Sequence, residues 1–150
     1  MPAVYQDHGI RFLFPENWRL DQTRHRSGVT ISVQSPGTGF WSITLQNRRI
    51  EPQRAADAAL SALREEYPVL DSEEVEGSVG SRSAVGYDVN FISLDLTNTT
   101  WIRAFRGPNC TALVMYQSAD LELEAMEPVF RAISTALEFG EPAAPEPPTP

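Results

Sequence analysis

Two histidines, His8 and His25, and one cysteine, Cys110, are the side chains of this 150-residue chain best suited to ligate a transition metal or to act as base and nucleophile. Their spacing supports neither role. A structural zinc site needs about four histidine or cysteine ligands, and neither histidine has a second one at ligand spacing. His25 falls in Arg24-His25-Arg26, which reads as a solvated loop. A serine hydrolase requires nucleophile, base and orienting acid, and no Gly-x-Ser-x-Gly elbow occurs. Cys110 opens the most apolar stretch, Cys-Thr-Ala-Leu-Val-Met-Tyr, where a free thiol behaves as a small buried hydrophobe. Asp88 and Asp95 could be paired as acid and base, but an odd separation along one strand puts them on opposite faces. No catalytic set, metal site or cofactor is expected from these residues.

Other short motifs dissolve on the same kind of test. Gly37-Thr38-Gly39 has the glycines of a phosphate loop, but a strand pattern follows it where a helix N-terminus would be needed, so it reads as a hairpin turn. Asn98-Thr99-Thr100 and Asn109-Cys110-Thr111 match the glycosylation sequon and are read as turn chemistry. Net charge is −8, and every one of the twelve Lys+Arg cations is an arginine. That balance disfavours nucleic acid, whose phosphates need a cationic footprint. Absence of lysine removes Schiff-base chemistry and the phosphate-binding lysine of a P-loop.

The residues that could bind a partner are aromatic and cationic. Phe40 follows a glycine-rich turn and falls on the opposite strand face from Trp41, among Ser42 and Thr44; an aromatic on a polar face can anchor a partner. Arg48 and Arg49 close the same predicted strand and offer forked donors to a carboxylate or phosphate. Phe40, Arg48 and Arg49 are the candidate partner-binding residues.

These residues must be held by a fold, and the hydropathy pattern outlines one. From Ser83 to Gln117 three strands are expected: Val85, Tyr87, Val89 and Phe91 alternate with Gly86, Asp88 and Asn90, then Thr99 to Arg106, then Cys110 to Tyr116, apolar on both faces. Connectors at Asn98 and at Gly107-Pro108-Asn109 make this a meander. Upstream, Ile10, Phe12 and Phe14 share a face until Pro15, and Trp18 and Leu20 resume the alternation. Val29, Ile31 and Val33, then Trp41, Ile43 and Leu45, form a second hairpin. Pro52 starts a helix with Ala56, Ala59, Leu60, Leu63 and Tyr67 at helical spacing, closed by Pro68. Residues 70–80, carrying Glu73, Glu74 and Glu76, read as an exposed edge strand or loop. Leu123, Met126, Phe130, Ile133 and Leu137 form the stripe of a second helix, which Pro128 is expected to kink or to split from a short turn at 120–126.

Length suits one domain at 1–139, followed by a disordered proline-rich tail at 140–150. No apolar run approaches 18 residues, so no transmembrane helix is expected. The first 25 residues hold Asp7, His8, Arg11 and Glu16 with no continuous apolar segment; without a signal peptide the expected location is cytoplasmic.

The order of elements, with Gly9-Ile10-Arg11-Phe12-Leu13-Phe14-Pro15-x-x-Trp18, the helix ending in Tyr67-Pro68 and the final Phe130-x-x-Ile133-x-x-x-Leu137, resembles the PsbP-like superfamily over roughly residues 5–139. That group includes photosystem extrinsic proteins, DcrB-like bacterial lipoproteins and a Ran-binding import factor. The resemblance implies an α+β fold, an antiparallel sheet of about six or seven strands with helices on its faces in an α/β/α sandwich. It also implies a non-enzymatic binding, assembly or chaperone-like role with a protein partner. A small-ligand or lipid carrier with a cavity between sheet and C-terminal helix is the alternative. An enzyme built on Asp88, Asn90 and Arg103 is a third reading.

Overall fold

The computed structural model of the chain describes residues 2–140; the proline-rich tail expected at 140–150 lies outside the described residues from 141 onward. Strand β1 (Pro2–Asp7) pairs antiparallel with β2 (Ile10–Pro15) around the His8-Gly9 turn, and the two-residue β10 (Glu138–Phe139) adds to the other side of β2. This small sheet shares no hydrogen-bonded ladder with the seven-stranded antiparallel sheet it packs on. In that larger sheet, β3 (Arg19–His25), β4 (Gly28–Gln34) and β5 (Phe40–Gln46) form one meander, and β6 (Leu70–Val79), β7 (Arg82–Ser93), β8 (Leu96–Gly107) and β9 (Cys110–Ala119) form another. Pairing of β5 with β9 joins them in the order β3-β4-β5-β9-β8-β7-β6. Helix α1 (Pro52–Glu66) connects the meanders, and α2 (Asp120–Ala136) follows β9 directly.

Strand alternation sorts the core into two layers. Val29, Ile31, Val33, Trp41, Ile43 and Val114 point to one face, where Phe12 of β2 and Phe130 and Ile133 of α2 cover them. Val89, Ile102, Ala104 and Leu113 point to the other face, against Ala55, Ala56, Leu60 and Leu63 of α1. Consecutive residues Leu113 and Val114 thus serve opposite layers, which is why β9 is apolar on both sides. The alanine-rich face of α1 lets that helix lie close to the sheet. Gly86 of β7 has a parallel reason: a Cβ there would approach the Ile102 carbonyl oxygen to 1.7 Å.

Helix ends follow the sequence. Pro52 fills the first position of α1, where a missing N–H costs nothing, and the Tyr67 N–H closes the helix on the Leu63 carbonyl at 2.8 Å. At the start of α2, Thr38 substitutes for a local cap. Its hydroxyl accepts from the Ala119 N–H at 3.0 Å and donates to Glu122, tying the turn before β5 to the helix.

Four details differ from the sequence reading. The turn between β7 and β8 is Leu94-Asp95, and Asn98 lies inside β8. Asp95 therefore sits in a turn, where the same-strand argument about Asp88 does not apply. Helix α2 runs unbroken through Pro128, because Pro128 and Glu124, whose carbonyl it leaves unbonded, are both exposed to water. Leu20 is exposed in β3, an edge strand with no buried residue, and His25 ends that strand instead of lying in a loop. Strand β1 carries no clear alternation and was not foreseen.

Candidate functional site

The three residues singled out as partner-binding are not all neighbours in space. Phe40 begins β5, half-buried, on the α1 side of the sheet. Arg48 and Arg49 lie past the last residue of that strand, Gln46, in the bend leading to α1, and both are exposed. At ~3.4 Å per residue the strand separates Phe40 from the arginines by roughly 20 Å or more.

Asp88, Asn90 and Arg103 do share a face of β7 and β8, but each is already committed. Arg103 Nη2 donates to Asp88 Oδ1 at 2.7 Å, and its Nη1 donates to the carbonyls of Ile102 and Tyr87 at 2.9 and 3.2 Å. Asn90 Nδ2 donates to Thr99 Oγ1 at 2.9 Å, which in turn donates to Asp120 Oδ1 at 2.7 Å, linking the sheet to the first turn of α2. The arrangement braces β7 and β8 against each other and against α2.

His8 and Cys110 line the same pocket of about 230 Å3, together with Phe139. They are not a base–nucleophile pair. Burial pushes the Cys110 thiol up, only partly offset by Arg82 and Arg49, so the thiol form dominates. The His8 ring instead meets Gln22 Nε2 at 3.0 Å. Among the described residues no three His, Cys, Asp or Glu side chains gather as metal ligands would.

Three other features have shape or exposure that invites contact. The first is an apolar groove of about 650 Å3 between β2 and α2, lined by Leu13, Phe14, Pro128, Val129, Ala132 and Ala136. The second, on the opposite flank of α2, is a polar cleft of about 300 Å3 holding Trp101 and Tyr116. The third is an exposed apolar end of the sheet. Of the seven large apolar side chains exposed among the described residues, five come from segments that end together: Leu94 at 93 %, Val69 at 88 %, Leu121 at 87 %, Ile92 at 68 % and Leu96 at 37 % exposure. Register explains the gathering. Leu70 pairs with Phe91, so Val69 approaches Ile92 across the β6–β7 ladder; Leu96 pairs with Ser93, on the opposite face of the same end from Ile92, and Asn98 pairs with Ala119, two residues before Leu121.

Sequence reasoning missed this apolar end. Each leucine or valine stands alone in the sequence, and a lone exposed apolar residue is ordinary. The one available signal was Ile92-Ser93-Leu94-Asp95-Leu96, where the apolar alternation runs straight through the turn.

No family model matches the chain, and no curated protein matches its sequence. Solved structures do match in fold. LpqN of Mycobacterium tuberculosis, involved in cell envelope biogenesis, superposes with a TM-score of 0.51 at 14 % identity, over 93 % of this chain and 90 % of that one. Cyanobacterial PsbP from Synechocystis gives 0.56 at 8 % identity, over 92 % of each chain. TplEi, an immunity protein of the type VI secretion system of Pseudomonas aeruginosa, gives 0.51 at 11 % identity, over 90 % of this chain and 49 % of that one. With its seven-stranded antiparallel sheet and a helix on each face, the chain has the PsbP-like fold.

Proposed function

We propose that this chain is a non-enzymatic binding module that engages a protein partner through the apolar end of its sheet, as an assembly factor or chaperone-like adaptor would. The observation that carries this reading is the gathering of Val69, Ile92, Leu94, Leu96 and Leu121 in water at one end of the molecule. Water-exposed leucines confer no folding advantage, and Leu94 occupies strained left-handed backbone at φ 51°. A residue kept there against both costs is better explained by a contact that covers it. Phe40, two strands from β8 and level with Gln117 and Thr100, lies toward this end of the sheet, and Arg48 and Arg49 lie past the other end of β5. The fold likeness to LpqN and TplEi is compatible with such a role without carrying it, since one fold hosts many functions. The test compares proteins captured from source-cell lysate by the full chain and by Leu94→Asp, with circular dichroism confirming that the variant is folded. A protein held by the parent and lost by the variant supports the reading. Equal retention removes the apolar end from it.

A second reading, a carrier of an apolar ligand, is favoured by the 650 Å3 groove between β2 and α2, whose lining is dominated by carbon. Ala132→Trp would fill the groove. If the groove is a carrier site, a bound fatty acid or apolar dye is lost in that variant and retained in Leu94→Asp.

A further inference from the structure

The polar cleft beside α2 has a composition unlike either of those surfaces. Glu127, Arg131 and Thr135 of α2 form one wall, Ser78 near the β6–β7 turn stands opposite, and Trp101 and Tyr116 lie between. From 127 to 135 is eight helical positions, so the cleft follows α2 for about 12 Å. Trp101 and Tyr116 are cross-strand partners whose rings stack at 5.0 Å and 27°, with Phe130 behind Tyr116 at 5.2 Å. The result is a rigid aromatic ledge in a polar trough.

Charges around the ledge are already cancelled. Arg131 Nη2 pairs with Glu127 Oε1 at 3.1 Å, and behind Tyr116 the Asp88–Arg103 pair closes at 2.7 Å. A ligand of either sign therefore meets one charge of each kind and gains no net attraction from the cleft. The neutral groups, by contrast, are free to act: among the described residues, Trp101 Nε1, Tyr116 Oη, Ser78 Oγ and Thr135 Oγ1 have no hydrogen-bond partner. Burial raises the Tyr116 hydroxyl above its ordinary range, so it remains a donor as well as an acceptor at neutral pH.

Flat apolar surface beneath, uncommitted neutral donors and acceptors around it, and no net charge to match define a ligand that is itself neutral, ringed in hydroxyls and apolar on its C–H face. We propose that this cleft is a saccharide-binding site, taking a short neutral oligosaccharide with one ring stacked on Trp101 and its hydroxyls bonded to Tyr116 and the cleft walls. The site is on the sheet face beneath α2, away from Leu94, and stands independently of the protein-binding reading.

The experiment titrates the full chain with maltotriose, cellotriose and N,N′,N″-triacetylchitotriose, following tryptophan fluorescence and saturation-transfer NMR. Trp18 and Trp41 are 7 % and 0 % exposed, so Trp101 dominates any ligand-induced change. At least one trisaccharide is expected to bind with a dissociation constant of about a millimolar or tighter. Tyr116→Phe, which keeps the ring and removes one hydroxyl, should weaken binding about three- to tenfold; Trp101→Ala should abolish it, and Leu94→Asp should leave it unchanged. Tyr116→Phe keeps the test decisive if Trp101→Ala does not fold. The proposal is overturned by no response to any of the three sugars at about ten times that concentration, or by binding indifferent to both cleft variants. Tighter binding of L-tyrosine or glucose 6-phosphate than of every neutral sugar would overturn it as well.

Discussion

Leu94 and Asp95 are the two central residues of the turn between β7 and β8, and both lie in left-handed backbone, at φ 51° and 63°. Two-residue turns of this kind favour Asn-Gly, because a side chain crowds the following carbonyl when φ is positive. Leucine at the first position carries a cost of about 1–2 kcal/mol. Replacing the pair by Leu94→Asn, Asp95→Gly is expected to raise the thermal midpoint by about 2–8 °C. The same double variant should lose any partner held by the apolar end, which separates the stability of the turn from its use. A midpoint that falls instead would show that Leu94 is held by packing within the hairpin.

Ser134 and Ser118 make a paired prediction, since one substitution should act with opposite sign at the two sites. Ser134 Oγ accepts the indole N–H of fully buried Trp41 at 3.0 Å. Ser134→Ala leaves that N–H buried and unbonded, at an expected cost of about 1–3 kcal/mol. Ser118 is also fully buried, yet its hydroxyl has no partner among the described residues. Ser118→Ala removes an uncompensated polar group and is expected to be neutral or stabilising by up to about 1 kcal/mol. Urea unfolding of both variants checks the contrast; equal losses would show that Ser118 Oγ has a partner in solution.

What the sequence made legible follows burial. Phe12 and Phe14, Val29 to Val33, Trp41 to Leu45 and the α1 stripe were readable because one side of each element is buried and the other is wet, which imposes the period. Strand β3 is exposed along its whole length, so the alternation expected from Trp18 and Leu20 does not continue past Leu20, and Arg24-His25-Arg26 read as a loop. Asn98 looked like a turn residue; it is 9 % exposed within β8, its amide donating to the Leu96 carbonyl at 3.0 Å. Pairing in the sheet outweighed its local preference for a turn. The surfaces were harder still. Phe40, Arg48 and Arg49 are close in sequence and far apart in space because a strand is extended, whereas Val69, Ile92, Leu94, Leu96 and Leu121 come from separate segments that only the sheet register brings together.

Tyr87 and Asp57 set a pH dependence. The Tyr87 hydroxyl donates to Asp57, and Gln53 Nε2 donates to the same carboxylate at 2.9 Å, bonds that hold Asp57 below its ordinary value of 3.8. A carboxylate with a depressed folded pKa contributes stability that is fully present above its unfolded value and is lost as pH falls through the folded one. The window for this contribution therefore lies below 3.8. Tyr87→Phe should lower the thermal midpoint at about pH 6, and the gap between parent and variant should close as the pH is taken below that window. A gap independent of pH would assign the effect to the lost bond from Gln53 Nε2 to the Tyr87 hydroxyl, at 3.2 Å.

Pro128 is the ninth residue of the seventeen in α2, exposed, with its ring on the wall of the apolar groove. In a helix interior proline forfeits the bond to the carbonyl four residues back, here Glu124, and is less favourable than alanine by up to about 3 kcal/mol. Water can reach both Glu124 and Pro128, which softens the loss and explains why the helix continues through the proline. Pro128→Ala is therefore expected to stabilise the fold by about 1–2 kcal/mol, a rise of roughly 2–8 °C in the thermal midpoint. Binding of an apolar dye decides why proline is there. If it shapes the groove, the more stable variant binds the dye more weakly; if dye binding is unchanged, the ring has no part in the groove's use. A loss of stability would mean that ring contacts with the groove wall outweigh the restored backbone bond.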